Sequence, residues 1–257
     1  MTRMPVLFAA HGSPMNALAK NAFTETLAKL GTQLPTPQAI LVVSAHWETA
    51  GTQVLYNATP QTIHDFYGFP KALFDLQYPA RGSLSFASAT HKLIPDSVLN
   101  EKWGLDHGTW SVLVHMYPHA EIPVFQLSLD VKASPAEHIE MGRKLRSLRE
   151  QGVLIVGSGN IVHNLRAIQW RDPEAKYDWA VEFDAGIKKA LDERDEKTLA
   201  QYAEKFGSAA EMSVPSPEHY WPLLYAFGAS DEKDTISYPF EGFEMGSLSM
   251  RTVLWAS

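Results

Sequence analysis

The chain has 257 residues, of which 45% are hydrophobic and 20% are charged, as in an ordinary globular protein. Lys and Arg total 22 against 29 Asp and Glu, which gives a formal net charge of −7. Nucleic acid is therefore not an expected partner, because proteins that bind it carry a basic excess or stripe. The chain has no cysteine, which excludes a disulfide framework, zinc–thiolate sites, iron–sulfur clusters and a cysteine nucleophile.

The longest apolar runs argue against a membrane partner. Pro5–Ala10 and Ala39–Val43 are far shorter than the roughly 20 residues that a membrane-spanning helix needs. The first of these runs is also too brief for the apolar part of a signal peptide. With no repeat or linker in view, we expect a cytoplasmic protein with a single domain over residues 1–257.

Alternating strand and helix patterns follow along the chain. Short apolar runs predict buried strands at Pro5–Ala10, Ala39–Ala45, Ile122–Leu129 and Val153–Val156. Helical spacing predicts helices at Asn21–Leu34, Ala136–Gln151, Trp179–Arg194, Glu196–Phe206 (ended by Gly207) and Trp221–Ala226. Two further strands, Ile236–Phe240 and Ser247–Trp255, have no helix between them. We expect an α/β layered sandwich with a mixed central sheet flanked by helices.

Histidines follow three of the predicted strands. The first strand leads into His11, the second into His46, and the fourth leads through Gly-Ser-Gly-Asn to His163. Ligands of open α/β sheets bind beyond the carboxyl ends of the strands, so we expect these side chains at one edge of the sheet. His107, in Asp-His-Gly, and His219, just before an apolar segment, lie in comparable settings.

A histidine cluster in a chain without thiols favours a metal site. Imidazole is the commonest metal ligand, and with carboxylates nearby it suits zinc, iron(II) or manganese. Four other histidines are interpreted as surface or core residues: His91, His115, His119 and His138. His64 is left ambiguous.

Other site motifs are weak or missing. The Gly157–Asn160 segment resembles a phosphate-binding turn but lacks the third glycine of a dinucleotide fingerprint and the lysine of a P-loop. Neither a G-x-S-x-G elbow nor an H-E-x-x-H motif occurs in the sequence.

Eight ordered segments, roughly from Pro5 to Met250, resemble a known family. They are FAAHGSPMN, VVSAHWE, IHDFYGFP, WGLDHGTWSVL, MGRKL, GSGNIVHNLR, PEHYWPLLYAFG and EMGSLSM. The chain resembles the extradiol ring-cleavage dioxygenases of the protocatechuate 4,5-dioxygenase superfamily, and within it the 4,5-DOPA dioxygenase extradiol branch of plants and bacteria. The resemblance implies a single α/β domain around a mixed sheet.

The resemblance also implies roles for individual residues. His11, His46 and His219 match metal ligands, although the wider superfamily supplies a Glu as the third ligand and Glu218 stands beside His219 here. His163 matches an acid–base catalyst close to the metal. His107, also expected to be catalytic, matches a histidine that either contacts the substrate or supports the metal ligands. The pocket lining is expected to include His64 and Phe69.

The implied reaction is the opening of a DOPA-like catechol by O2 to give a semialdehyde. One divalent metal per chain is expected, with Fe2+ for activity and Zn2+ as an alternative occupant. A DOPA pocket needs charges of both signs, and Arg166, Asp65 and Glu48 lie near the motifs. The sequence leaves open the physiological catechol, the native metal and whether His163 also ligates it.

The same residues also permit rival interpretations. A zinc-dependent hydrolase could use the same histidines to activate water. The His-Gly-Ser after the first strand also resembles small tetrapyrrole-metallating proteins, which would not explain His46, His163 and His219. A third alternative keeps the fold and the metal but acts on an unrelated aromatic. Trp170, Tyr177 and Trp179 fit either a homo-oligomer interface or a lid.

Overall fold

The computed structural model describes residues 3–172 and 175–257. Within them, the strands are β1 (Val6–Ala10), β2 (Ala39–Thr49), β3 (Gln53–Leu55), β4 (Val98–Asn100), β5 (Val124–Asp130), β6 (Val153–Gly159), β7 (Thr235–Phe240), β8 (Phe243–Glu244), β9 (Leu248–Ser249) and β10 (Thr252–Ala256). The helices are α1 (Ala22–Gln33), α2 (Lys71–Asp75), α3 (Leu84–Leu93), α4 (His107–Met116), α5 (Pro135–Glu150), α6 (Asp178–Asp192), α7 (Glu196–Ala200), α8 (Tyr202–Phe206), α9 (Ser208–Ser213) and α10 (Trp221–Ala229). Short 3-10 helices lie at Pro14–Leu18, Leu165–Ala167 and Pro217–His219.

The central sheet is mixed, as expected. Over the described residues its strand order is β4-β3-β5-β2-β6-β1-β10-β7. The inner strands β5, β2, β6 and β1 are parallel to one another, whereas β10 and β7 add antiparallel strands beside β1. A separate hairpin pairs β8 with β9.

Helices cover both faces of this sheet. Alternate residues of β1 point to opposite sides, so Val6 and Phe8 join one core with α5, α6 and α10. Leu7 and Ala9 join a second core with α1 and α4. Strands that are buried on both faces need continuous apolar sequence, which is why the apolar runs marked them.

Two predicted elements are each divided into more than one element in the structure. The helix expected over Glu196–Phe206 is broken at Gln201, and α9 follows directly after Gly207, which has a φ of +50°. The strand expected over Ser247–Trp255 is two strands, because β9 pairs with β8 while β10 enters the central sheet. The sequence interpretation also missed α4, which carries one of the singled-out histidines.

No helix among the described residues is long and apolar enough to cross a membrane.

Candidate metal centre and active site

Five histidines meet at the carboxyl edge of the parallel strands. His11 follows β1, His163 lies beyond β6, His107 begins α4 and His219 ends the 3-10 helix Pro217–His219. The expectation that His46 follows the end of its strand is wrong, because β2 continues to Thr49. The register of β2 against β5 shifts between Val43 and Glu48, and such an irregularity re-aims side chains.

The glycines of the Gly-Ser-Gly segment explain how His219 reaches this edge. A Cβ atom on Gly157 would overlap the Pro222 carbonyl oxygen, and one on Gly159 would overlap the His219 carbonyl oxygen. The Asn160 N–H donates a hydrogen bond of 2.9 Å to the same His219 oxygen. These glycines therefore permit close packing of β6 against the segment that carries His219.

Three of the histidines form a compact set of potential ligands. The Nε2 atoms of His11 and His46 are 3.1 Å apart, and ligand atoms of His11, His46 and His219 all lie within 4.8 Å of one another. Two nitrogens bound at about 2.1 Å to one ion, at right angles, would be about 3.0 Å apart. The donor set therefore fits a divalent metal that accepts imidazole ligands.

Each of these rings has a partner at Nδ1. Ser158 Oγ lies 3.0 Å from His11 Nδ1 and donates its own proton to the Gly108 carbonyl oxygen at 2.5 Å. We therefore assign the His11 proton to Nδ1, which leaves the Nε2 lone pair free. The His219 Nδ1 lies 2.9 Å from Glu218 Oε1, and the His46 Nδ1 lies 3.4 Å from Asp65 Oδ2. Such outer partners orient ligands and fix their tautomers.

Burial keeps the ligand set neutral. It lowers the pKa of His46 to about 3, with a further contribution from His107 that outweighs the opposing effect of Asp65. It also lowers the pKa of His11, reinforced by His46, and that of His219, reinforced by His163. Neutral imidazoles have lone pairs to offer a cation.

Asp65 joins two of the five histidines. Its carboxylate accepts hydrogen bonds from the His107 backbone N–H and from His107 Nδ1, both at 2.9 Å, and also faces His46. Burial raises the pKa of Asp65, but the bonds and charges of His107 and His46 outweigh it and leave the pKa below its ordinary value. Asp65 is thus engaged within the histidine cluster.

Asp106 stabilises the backbone at His107 directly and the backbone at His46 through Ser44. This fully buried carboxylate accepts hydrogen bonds from Ser44 Oγ at 2.7 Å, Gln126 Nε2 at 2.6 Å and the Thr109 N–H at 3.1 Å. It caps the helix that His107 begins, and Ser44 also accepts a bond from the His46 N–H. Burial, reinforced by the nearby Asp65 charge, raises the pKa of Asp106, and the hydrogen bonds from Gln126 and Ser44 offset this only in part.

His163 stacks on His219, with ring centroids 3.5 Å apart and planes within 7°. Burial lowers the pKa of His163 to about 4, and the neighbouring His107 adds to this effect. Ligand atoms of His163, Glu218 and His219 also lie within 4.8 Å of one another. The neutral ring is thus placed beside the ligand set, where it can accept a proton.

An aromatic wall lies beside His107. The sequence interpretation missed Phe66, whose ring centroid lies 5.5 Å from that of His107 and 5.8 Å from that of His64. Phe69 contacts Phe66 at 5.3 Å, while His64 Nε2 lies 2.9 Å from the Leu76 carbonyl oxygen. Phe66 therefore stands between His64 and the histidine cluster. Its only sequence signal was its place in the IHDFYGFP segment.

The fold and this cluster define a candidate metalloenzyme of the α/β class. The family model described as the catalytic LigB subunit of aromatic ring-opening dioxygenase matches residues 2–248. The chain is 50% identical over 258 residues to a 4,5-DOPA dioxygenase extradiol of Escherichia coli (strain K12), covering 98% of this chain and 94% of that protein. It is 35% identical over 260 residues to the protein of the same name from Portulaca grandiflora, covering 97% and 95%.

A solved structure agrees with these relatives. The crystal structure of an uncharacterised protein from Escherichia coli K12 matches with a TM-score of 0.87 at 45% identity, covering 99% of this chain and 100% of that one. The chain therefore belongs to the family of the catalytic LigB subunit of aromatic ring-opening dioxygenases. It is an extradiol dioxygenase, of a family that uses a metal and acts on small aromatic substrates with O2.

Proposed function

We propose that the protein opens the ring of a DOPA-like catechol at the 4,5 position to give a semialdehyde, with Fe2+ held by His11, His46 and His219. The observation that carries this proposal is the convergence of three neutral imidazoles, two of whose Nε2 atoms are 3.1 Å apart. The name shared by the relatives from Escherichia coli and Portulaca grandiflora supports the substrate class.

When bound, iron(II) supplies the redox chemistry by which triplet O2 reacts with a closed-shell catechol, whereas zinc is redox-inert. The protein's part begins with charge. Because its three imidazole ligands are neutral, a bound divalent ion would keep its full charge of +2, which would favour a catecholate over a neutral catechol and lower the pKa of its hydroxyl groups. The buried surroundings of His11 and His219 strengthen this attraction, because it is screened little by water.

His163 and His107 are proposed to handle protons and to orient the substrate. His163 is neutral at pH 7, so it can accept a phenolic proton and return it later as a general acid. Such positioned proton transfer contributes roughly 10²–10⁴-fold to the rate. Asp65 holds the Nδ1 side of His107, which leaves its Nε2 to accept a hydrogen bond from the substrate. Phe66 and Phe69 would exclude water from the aromatic ring, with His64 behind them.

An oxygen-uptake assay tests the proposal. Protein stripped of metal is reloaded anaerobically with Fe2+ and given L-DOPA and a panel of simple catechols, with zinc-loaded protein as the control. We expect one O2 consumed per substrate and a yellow product with iron alone. No uptake at full iron occupancy would overturn the proposal, and oxygen-independent turnover by the zinc form would establish a hydrolase instead.

A further inference from the structure

Another carboxylate beside the histidine cluster, that of Glu244, has no cationic partner among the described residues. Glu244, on β8, accepts hydrogen bonds through Oε2 from Asn16 Nδ2 at 3.2 Å and from the Ser13 N–H at 3.5 Å. Both donors are neutral, and no ion pair of the described residues involves Glu244. Burial raises the pKa of this carboxyl, since its ionised form lacks a compensating charge.

The pairing of β8 and β9 places Glu244 on the same face as His163. Glu244 is directly opposite Leu248 in the hairpin, and Leu248 is bridged in turn to His163. Residues directly opposite each other on neighbouring strands point to the same side, so the two side chains share one face. Two strand spacings separate their backbones by roughly 10 Å.

The turn after His11 fixes the other side of this carboxylate. A Cβ atom on Gly12 would lie 2.8 Å from Glu244 Oε2. Asn16 Nδ2, which holds that oxygen, is also 3.3 Å from the His11 carbonyl oxygen. Glu244 therefore lies between the backbone turn after His11, a proposed metal ligand, and the strand pairing that includes His163, the proposed acid–base residue.

The other carboxylates near the cluster are already engaged or exposed. Glu218 holds His219, Asp65 holds His107, and Asp106 is enclosed by Ser44, Gln126 and Thr109. Glu48 is exposed. Glu244 is thus a partly buried carboxylate of this region that forms no hydrogen bond or ion pair with the five histidines, and its Oε1 has no hydrogen-bond partner among the described residues.

We propose that Glu244 is a specificity-determining residue that binds the ammonium group of an amino-acid catechol through its carboxylate. A glutamine could accept the same hydrogen bonds from Asn16 and Ser13, so these bonds do not account for the negative charge. A cationic group on the substrate accounts for it. The inference rests on the proposed catechol dioxygenase activity and adds to it the part of the substrate that is recognised. Catechols with a side-chain ammonium are then preferred over those without one.

Matched substrates and variants test this role. L-DOPA and dopamine carry the ammonium, whereas 3-(3,4-dihydroxyphenyl)propionate keeps the ring and the carboxylate without it. For Glu244→Gln we expect the ratio of kcat/KM for L-DOPA to that for the propionate to fall roughly 10- to 100-fold, the range of a lost charge-assisted hydrogen bond. Dopamine should follow L-DOPA. Glu48→Gln removes an exposed carboxylate and should leave the ratio unchanged.

Anaerobic binding titrations of the metal-loaded protein give a readout without turnover. The ratio of the two Kd values should shift for Glu244→Gln as the kinetic ratio does. An unchanged ratio would overturn the proposal, whether or not overall activity falls, and so would a shift confined to Glu48→Gln. If Glu244→Gln unfolds, Glu244→Met is judged by the same ratio. Failure of every catechol to consume O2 would refute the dioxygenase proposal alone, because the binding ratio still decides the role of Glu244.

Discussion

Ser158 determines which nitrogen of His11 is free, because its hydroxyl proton is committed to the Gly108 carbonyl oxygen. In Ser158→Ala the His11 ring loses the partner at Nδ1, so we expect metal affinity to fall roughly 10- to 100-fold. A chelator competition assay on the loaded protein measures this loss. Ser111→Ala is the matched control, since Ser111 is also buried but its hydroxyl has no partner among the described residues. Equal affinities in both variants would contradict the assignment.

Metal analysis should distinguish the proposed metal ligands from His163, the proposed acid–base residue. His11→Ala and His46→Ala should lose both bound metal and turnover, because two imidazoles hold a divalent ion poorly. His163→Ala should keep its metal and lose turnover by about 10²–10⁴-fold. Metal stoichiometry and oxygen uptake measured on the same samples check this. Wild-type metal content in His11→Ala or His46→Ala would remove that residue from the ligand set.

Where helices α5 and α10 pack together, one buried histidine makes the pair sensitive to acid. His138 lies fully buried, 3.2 Å from the Tyr225 hydroxyl through Nδ1, and its Nε2 has no partner among the described residues. Burial lowers the pKa of His138 to about 4, despite the nearby Asp130 and Glu137. The unfolded chain, with a pKa near 6.5, takes up this proton first, so the free energy of unfolding falls as the pH drops through that window.

Between pH 6.5 and pH 4, we expect the free energy of unfolding of His138→Gln to fall by up to about 3 kcal/mol less than that of the wild type. Urea unfolding of both proteins across that range measures the difference, and removal of the exposed His119 by His119→Gln is the control. Parallel pH profiles for the wild type and His138→Gln would show that His138 does not titrate on unfolding.

Sequence patterns predicted the elements whose burial gives the sequence either a regular hydrophobic spacing or an apolar run that ends at polar residues. The strands that lead to His11, His46 and His163 were predicted because their apolar runs stop at polar residues there, although β2 itself continues past His46 to Thr49. Helix α4 was missed because its residues are buried nearly all round, which erases the amphipathic spacing. The partners Ser158 and Asp106 were missed for another reason. Their roles depend on side chains brought together from distant segments, which no local pattern records.

Across the whole molecule, Arg149 ties three distant segments together. It is fully buried and donates hydrogen bonds to the carbonyl oxygens of Met4 and Ala229 and to the Asp234 carboxylate. Arg3 pairs with the same carboxylate at 3.0 Å. The start of β1, the end of α10 and the start of β7 are thereby held at one point.

Arg149→Met should lower the free energy of unfolding by about 3–5 kcal/mol, because it leaves Asp234 without its buried partner. Chemical denaturation measures the loss. The double variant Arg149→Met/Asp234→Asn should recover part of it, since the uncompensated charge is then gone. A loss under 1 kcal/mol in the single variant would show that Arg3 alone neutralises Asp234.

The sheet order has a consequence for how the protein is made. β10 lies between β1 and β7, and the potential ligands span positions 11 to 219. A ribosome that has released only the first 200 residues has delivered His11 and His46 without their third companion, and β1 still lacks one of its two neighbours. Assembly of the proposed centre must therefore wait until the segment that carries His219 has been made. Capture of the proposed metal by all three histidines would then follow the synthesis of that segment, and such long-range closure is intrinsically slow.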